Sequence, residues 1–192
     1  MNKWLLVILT TVLIGCGASP QPNVIFYLLP NNSELSKLSK PESAPLLIIQ
    51  PVELAAYLDT QGIVYRQSET QVVQAKQNQW AQRLEPQLTQ RLINDLRHKQ
   101  SSYWPVSLTT SLSQQEHWKL NVRLQRFNGA YTGNAEIAGN WELRDPKGDA
   151  VVNREFSFYV PLQDIGYSAL IEALSSGVDQ LSNQIQNELL TR

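Results

Sequence analysis

Few residues in this chain are equipped for chemistry, and they can be read one at a time. There is one cysteine, Cys16, and there are two histidines, His98 and His117. A lone thiol cannot close an internal disulfide, and in an exported protein it would be a liability. It sits in no nucleophile motif, and no G-x-S-x-G elbow occurs anywhere in the chain. A zinc site needs several histidine, cysteine or carboxylate ligands converging on one point. His98 at a helix end and His117 at a strand start do not provide that, and they read as ordinary surface residues. Carboxylates are scattered. Glu53 with Asp59, or Glu136 with Glu142, can meet in space, but any chain of this length offers such pairs. Gly129, Gly133 and Gly139 lie in strand and turn context and form no phosphate-binding loop. With 16 Lys and Arg against 17 Asp and Glu, there is no basic excess for binding nucleic acid.

The surroundings of Cys16 say more. Met1-Asn2-Lys3 is a short, positively charged start, and Trp4 to Val12 is apolar. Leu13-Ile14-Gly15 then leads into Cys16. The apolar run is too short for a permanent membrane span, and the order of charge, apolar stretch and small residue is that of a secretory signal. The Gly15-Cys16 junction resembles the lipobox of bacterial lipoproteins. That resemblance implies a diacylglyceryl thioether on Cys16, a cut before it, and acylation of the new amino end. Residues 1–15 are then a signal peptide, and 16–23 a lipidated tether of polar and proline residues. Each buried methylene contributes about 0.8 kcal/mol, so two or more acyl chains hold a protein stably where one does not. Gly17 stands where an aspartate would signal inner-membrane retention. By the same resemblance, this implies sorting to the outer membrane.

Residues 24–192 must supply the folded body, long enough for one domain with its own core. Val24 to Leu29 reads as a first strand closed by Pro30, and 31–45 as a loop. Leu46 to Ile49 is all apolar, which suits a central strand covered on both faces. Glu53 to Asp59 reads as a turn or short helix. Gly62 to Gln67 and Thr70 to Gln74 predict a hairpin. Trp80, Leu84, Leu88, Leu92 and Leu96 recur every fourth residue and predict a helix with that stripe in the core. Pro86 requires the helix to begin near Gln82 to Glu85. A short strand is expected over Tyr103 to Thr109. Trp118, Leu120, Val122 and Leu124 alternate with polar residues, as do Ile137, Gly139, Trp141 and Leu143. Asn128-Gly129 predicts a turn or bulge and Asp145-Pro146-Lys147-Gly148 a turn. Phe156, Phe158 and Val160 face the core from a further strand. Leu170, Leu174, Val178, Leu181, Ile185 and Leu189 predict a closing helix, with Glu172, Ser175, Asp179, Ser182, Asn183 and Gln186 on its polar face. The expectation is a single α+β domain, a mostly antiparallel sheet packed against two long amphipathic helices. Trp80, Trp118 and Trp141 belong to its core. Tyr57, Tyr65, Tyr131 and Tyr159 read as core or half-exposed sheet residues, though tyrosine is also enriched at interfaces.

Several short motifs, in order and spacing, give the chain a family likeness. They are Tyr27-Leu28-Leu29-Pro30; Pro51-Val52 with Tyr57-Leu58-Asp59 and Gly62-Ile63-Val64-Tyr65; Asn78-Gln79-Trp80-Ala81 before Leu84; Phe127-Asn128-Gly129; Gly139-Asn140-Trp141-Glu142-Leu143; and the helix after Gly166-Tyr167. In these the chain resembles the PqiC-type lipoproteins, the ABC-type transport auxiliary lipoprotein components. The resemblance implies a periplasmic α+β domain tethered to outer-membrane lipid. It also implies a partner, an MCE-domain tunnel protein that carries lipid between membranes, and a homo-oligomeric ring matching that tunnel. No catalytic residue and no cofactor are implied beyond the covalent lipid on Cys16. Tyr57, Leu58 and Asp59, in a proline-flanked segment, are expected to help form the partner-facing surface, with a structural turn as the alternative. Two other readings share the anchor: a structural or assembly lipoprotein serving an outer-membrane barrel, and a tethered periplasmic hydrolase.

Overall fold

The computed structural model describes residues 23–31, 38–99, 102–113 and 115–191; Cys16, the leader and most of the tether lie outside them. Among the described residues, nine strands and three helices follow one another: β1 (Ile25–Tyr27), β2 (Leu46–Ile49), β3 (Glu53–Leu54), a 3₁₀ turn (Ala56–Leu58), β4 (Gly62–Arg66), β5 (Val72–Trp80), α1 (Leu84–His98), β6 (Trp104–Ser107), α2 (Thr110–Ser113), β7 (Trp118–Ala130), β8 (Asn134–Arg144), β9 (Ala150–Pro161) and α3 (Tyr167–Leu190).

The 13-residue strand β7 is the spine of the sheet. Along one side, β2, β3 and β4 pair with it in turn, all parallel, from Leu47↔Trp118 through Glu53↔Arg123 to Tyr65↔Gly129. Along the other side β8 and then β9 pair antiparallel in long ladders. The sheet forks beyond the spine. β6 adds parallel to β2, while β5 adds antiparallel to β4 and carries β1 parallel on its outer side. The expected mostly antiparallel meander is therefore corrected to a mixed sheet, with five of the eight pairings parallel. The meander itself is confined to β7–β9. Alternation of apolar and polar residues says which face a strand buries but nothing about the direction of its neighbour. Here β3, β4, β5 and α1 all lie between β2 and β6 in the chain, and so long a connection lets the two strands run the same way.

Other expectations shift locally. Trp80 is the last residue of β5 rather than the first of the helical stripe, because it pairs with Tyr27 of β1 and its N–H donates to the Gln61 carbonyl just before β4 at 2.7 Å. The helix begins at Leu84, with Pro86 in its first turn where no backbone bond is lost. Asn128 and Gly129 continue β7, and the chain reverses over Tyr131–Gly133 instead. Gly133 has φ +82°, a conformation that side chains with a Cβ resist.

The two long helices lie on one face of the sheet. Leu88, Leu92 and Leu96 from α1 and Leu174, Ile185 and Leu189 from α3 meet Leu120, Ile137 and Trp141 in one core. The approach of α3 to β8 is close enough that a Cβ on Gly177 would stand 2.2 Å from Ile137 Cδ1. The polar face expected on the last helix is also revised. Ser175, Ser182 and Gln186 are buried against α1. Gln186 donates to the Lys99 carbonyl at the end of α1 at 3.1 Å, and the two serines join a charged cluster centred on Arg91, which is 2 % exposed. Arg91 Nε donates to both oxygens of Asp95, at 2.8 and 2.9 Å. Nη1 donates to Ser175 Oγ at 2.9 Å and to the Pro30 carbonyl, and Nη2 donates to Asp179 at 2.5 Å. Ser182 donates to Asp95 Oδ2 at 3.0 Å. One guanidinium thus ties α1, α3 and the chain leaving β1. Each of its faces has an acceptor, which is what a buried charge requires.

Candidate partner-binding face

The segment between β2 and β4 is held from both sides. Val52 N–H donates to Thr89 Oγ1 of α1 at 3.0 Å, and Ala55 N–H donates to the Leu124 carbonyl of β7 at 2.9 Å. The 3₁₀ turn that follows drops Leu58 into the core, where it is 1 % exposed. Of the three expected contact residues, Leu58 is therefore the peg and has no surface to offer. On either side Asp59 is exposed, and Tyr57 is half-buried, its ring against the edge of the core. The Tyr57 hydroxyl donates to the Gln125 carbonyl at 2.7 Å, where the β7–β8 register shifts between Leu124 and Arg126. Burial raises its pKa, against the opposing pull of Arg126. Asp59 is exposed and pairs with Arg83 at 3.3 Å; a bridge this open contributes about 0–1 kcal/mol.

Tyr57 leads into a polar network on the sheet face opposite the long helices. At its centre is Glu136 of β8, 1 % exposed. Arg66 of β4 grips it in two places, Nε to Oε2 at 3.0 Å and Nη2 to Oε1 at 2.5 Å. Asn128 of β7 donates to Oε2 at 3.3 Å, and Arg126 Nη1 lies 4.0 Å from the same oxygen. On its outer side Arg66 reaches Glu69 in the β4–β5 turn at 3.2 Å and stacks 5.5 Å from the centre of the Tyr131 ring. The Tyr131 hydroxyl donates to Glu69 at 2.6 Å. That hydrogen bond lowers the Glu69 pKa, with help from Arg66, and raises that of Tyr131. The hydrogen bond to Glu136 is the main reason the Arg66 pKa is raised. Tyr159 of β9, the register partner of Glu136, adds a second exposed ring.

In this arrangement each carboxylate of the network is held by an arginine. The carboxylates that were candidates for pairing do not meet one another. Glu53 pairs with Arg123 at 2.5 Å, Glu136 with Arg66, Glu142 with Arg144, and Asp59 with Arg83. His117 Nε2 is 3.1 Å from Gln115 Oε1, and His98 ends α1. Among the described residues, no group of three or more His, Cys, Asp or Glu is placed to hold a metal. What the face offers is arginine and tyrosine on a rigid base, the residue types that dominate recognition surfaces. Sequence reading missed Arg66 because Glu136 lies 70 positions away, and Arg126 and Asn128 because their meeting with Glu136 depends on the register of the β7–β8 ladder. The one signal for Glu136 was a carboxylate in a strand that is otherwise well buried.

A mixed sheet with two long helices on one face and an arginine–tyrosine–carboxylate network on the other defines this as a single α+β domain. The chain belongs to the family of ABC-type transport auxiliary lipoprotein components, whose model matches residues 27–186. For such lipoproteins no cofactor is expected. It is 32% identical over 190 residues to the intermembrane transport lipoprotein PqiC of Escherichia coli K12 and, equally, to that of Shigella flexneri, covering 98% of both chains in each case. A crystal structure of an uncharacterized protein matches with a TM-score of 0.72 at 28% identity, over 86% of this chain and 98% of that one. Protein XCC0632 from Xanthomonas campestris shares the fold with a TM-score of 0.64 at 18% identity, over 88% of this chain and 94% of that one. Among the described residues, no helix is long and apolar enough to cross a membrane.

Proposed function

We propose that this protein is a non-catalytic accessory lipoprotein of an MCE-type intermembrane lipid transport system. It is held by acyl chains on Cys16 at the periplasmic face of the outer membrane, where it docks an MCE-domain tunnel protein. The observation that carries this reading is likeness along almost the whole chain to proteins named intermembrane transport lipoproteins. A likeness of that extent argues for a shared role and not only a shared fold. The physical features agree with it. On the outer sheet face Arg66 and Arg126 are matched by Glu69 and Glu136, the rings of Tyr131 and Tyr159 stand exposed, and Tyr57 and Arg126 are part-exposed beside them, with Asp59 exposed next to Tyr57 in the chain. An interface of this composition forms by burying aromatic and arginine side chains against a partner's complementary groups. A ring of copies on the membrane would present the face repeatedly to a ring-shaped tunnel.

Purification of the tagged, acylated protein from envelopes tests the reading. An MCE-domain protein should accompany it, and charge reversal by Asp59→Lys with Arg126→Glu should reduce that recovery while the fold is kept. Unaltered recovery would move the contact away from this face. An outer-membrane barrel recovered in place of the tunnel protein would favour the assembly role.

A further inference from the structure

The strand nearest the anchor carries an apolar surface that the fold leaves open. β1 lies at the edge of the sheet, paired on one side with β5. Its neighbourhood from Asn23 to Pro30 contains no charged residue. Val24, Ile25, Phe26 and Leu28 are all exposed, Phe26 to 61 %. Edge strands in soluble domains are usually guarded by lysine, proline or a covering element, because an open apolar edge invites association. Residue Ile25 shares its face with Tyr27, two positions on. The Tyr27 ring is 6.4 Å from that of Tyr167. Tyr167 in turn lines a groove of about 780 Å³ with Tyr65, Val73 and Ile165, and among the described residues of its wall only Asp164 is charged. Ile165, at the turn into α3, is 92 % exposed. Ile25 therefore carries this groove's apolar lining toward the sheet edge, while Val24 and Phe26 alternate to the other face of the strand, so the β1 edge is apolar on both sides.

The reach of the tether identifies what can cover it. Eight residue steps separate Cys16 from Val24. Fully extended, they span about 28 Å at ~3.5 Å each, and less in any bent conformation. With acyl chains on Cys16, the start of β1 is therefore confined to a shell next to the bilayer. A patch of several aliphatic and aromatic side chains facing that shell has lipid as its most concentrated apolar neighbour. We propose that β1 and the Ile165 turn seat in the lipid surface, as a second, non-covalent contact that fixes how the domain stands on its membrane. The proposal rests on acylation of Cys16. Seating the β1 edge would turn the far edge, β9, away from the bilayer. Five strand pairings separate the two edges, about 24 Å at ~4.8 Å per pairing.

Thioether formation at Cys16 would consume the chain's one native thiol, so an introduced cysteine can be labelled alone. Phe26→Cys, Ile165→Cys and, as a control on β9, Asn153→Cys are each labelled with a polarity-sensitive fluorophore in the full, acylated protein. Each is then reconstituted into phosphatidylethanolamine–phosphatidylglycerol vesicles with and without shallow spin-labelled lipid. The expected result is a blue shift and loss of emission by lipid quenching at positions 26 and 165, with position 153 unaffected. Acylated protein in which 26 and 165 escape quenching would overturn the proposal and leave the anchor standing. Copies that cross-link through Phe26→Cys while escaping quenching would assign the patch to a second copy of the chain, and would equally overturn the seating in lipid. A mass without acyl chains, or labelling at Cys16 itself, would bring down the anchor and the seating together.

Discussion

Replacing Arg91 with methionine removes the centre of the buried charged cluster while keeping a long apolar stem in place. Asp95 then remains buried with Ser182 as its hydrogen-bond partner and with Asp179 as a like-charged neighbour. The Pro30 carbonyl and Ser175 each lose a donor as well. Breaking a buried ion pair on one side costs about 3–5 kcal/mol. For a domain of this size that corresponds to a melting temperature lower by roughly 6–20 °C. The loss must also depend on pH, with a definite sign. Burial already raises the Asp95 pKa above 3.8, and the charge and hydrogen bond of Arg91 are the main effects holding it down. Without Arg91 it rises further, so the folded variant keeps a proton over a pH range in which the unfolded chain has released it. Stability then falls as pH rises through the window between 3.8 and the raised folded value, and the cost is complete only above that window. Urea titrations of the parent and Arg91→Met at neutral pH and again near the lower end of the window measure both quantities. The gap between the two proteins should be widest at neutral pH and narrow on acidification. Adding Asp95→Leu should recover most of the loss, because the stranded carboxylate is gone. A change below about 1 kcal/mol that is indifferent to pH would refute the argument that this cluster needs its cation.

Three other outcomes are expected. Leu92→Ala should destabilise the domain by about 2–5 kcal/mol in a denaturant titration, since the side chain is buried in the α1 stripe and little can collapse around it. Gly177→Ala should cost about 1–3 kcal/mol by pressing a methyl group onto Ile137, and Ile137→Val in the same chain should relieve part of it. Cys16→Ser should leave an uncleaved or unanchored precursor, read by mass spectrometry and by membrane fractionation; normal membrane recovery of that variant would contradict the lipid anchor.

Much of the fold was legible because it follows from local rules. Leu46 to Ile49 read as a strand covered on both faces, and β2 does lie between β6 and β7 with Leu47, Ile48 and Ile49 buried. The leucine stripe of α1 and the apolar stripe of α3 face the core as their spacing required. What escaped was every feature that depends on a remote neighbour. Ser175, Ser182 and Gln186 looked like solvent-facing residues because they are polar, yet they are buried against α1 by contacts across 84 to 87 positions. Leu58 looked like a surface residue because its segment is flanked by proline and charge, and it turned out to be the plug beneath that segment.

Sequence alone determined the periodicities, a helix start just before Pro86 and the turn at Asp145–Gly148, since each is set by residues within a turn or two of one another. The tertiary structure decided strand direction, the grip of Arg91 on Asp179 across 88 positions, and the grip of Arg66 on Glu136 across 70. The physical reason is range. A side chain's preference for helix, strand or burial acts over a few residues, whereas the partner of a buried charge is chosen by whichever distant strand or helix the folded chain brings within hydrogen-bond reach.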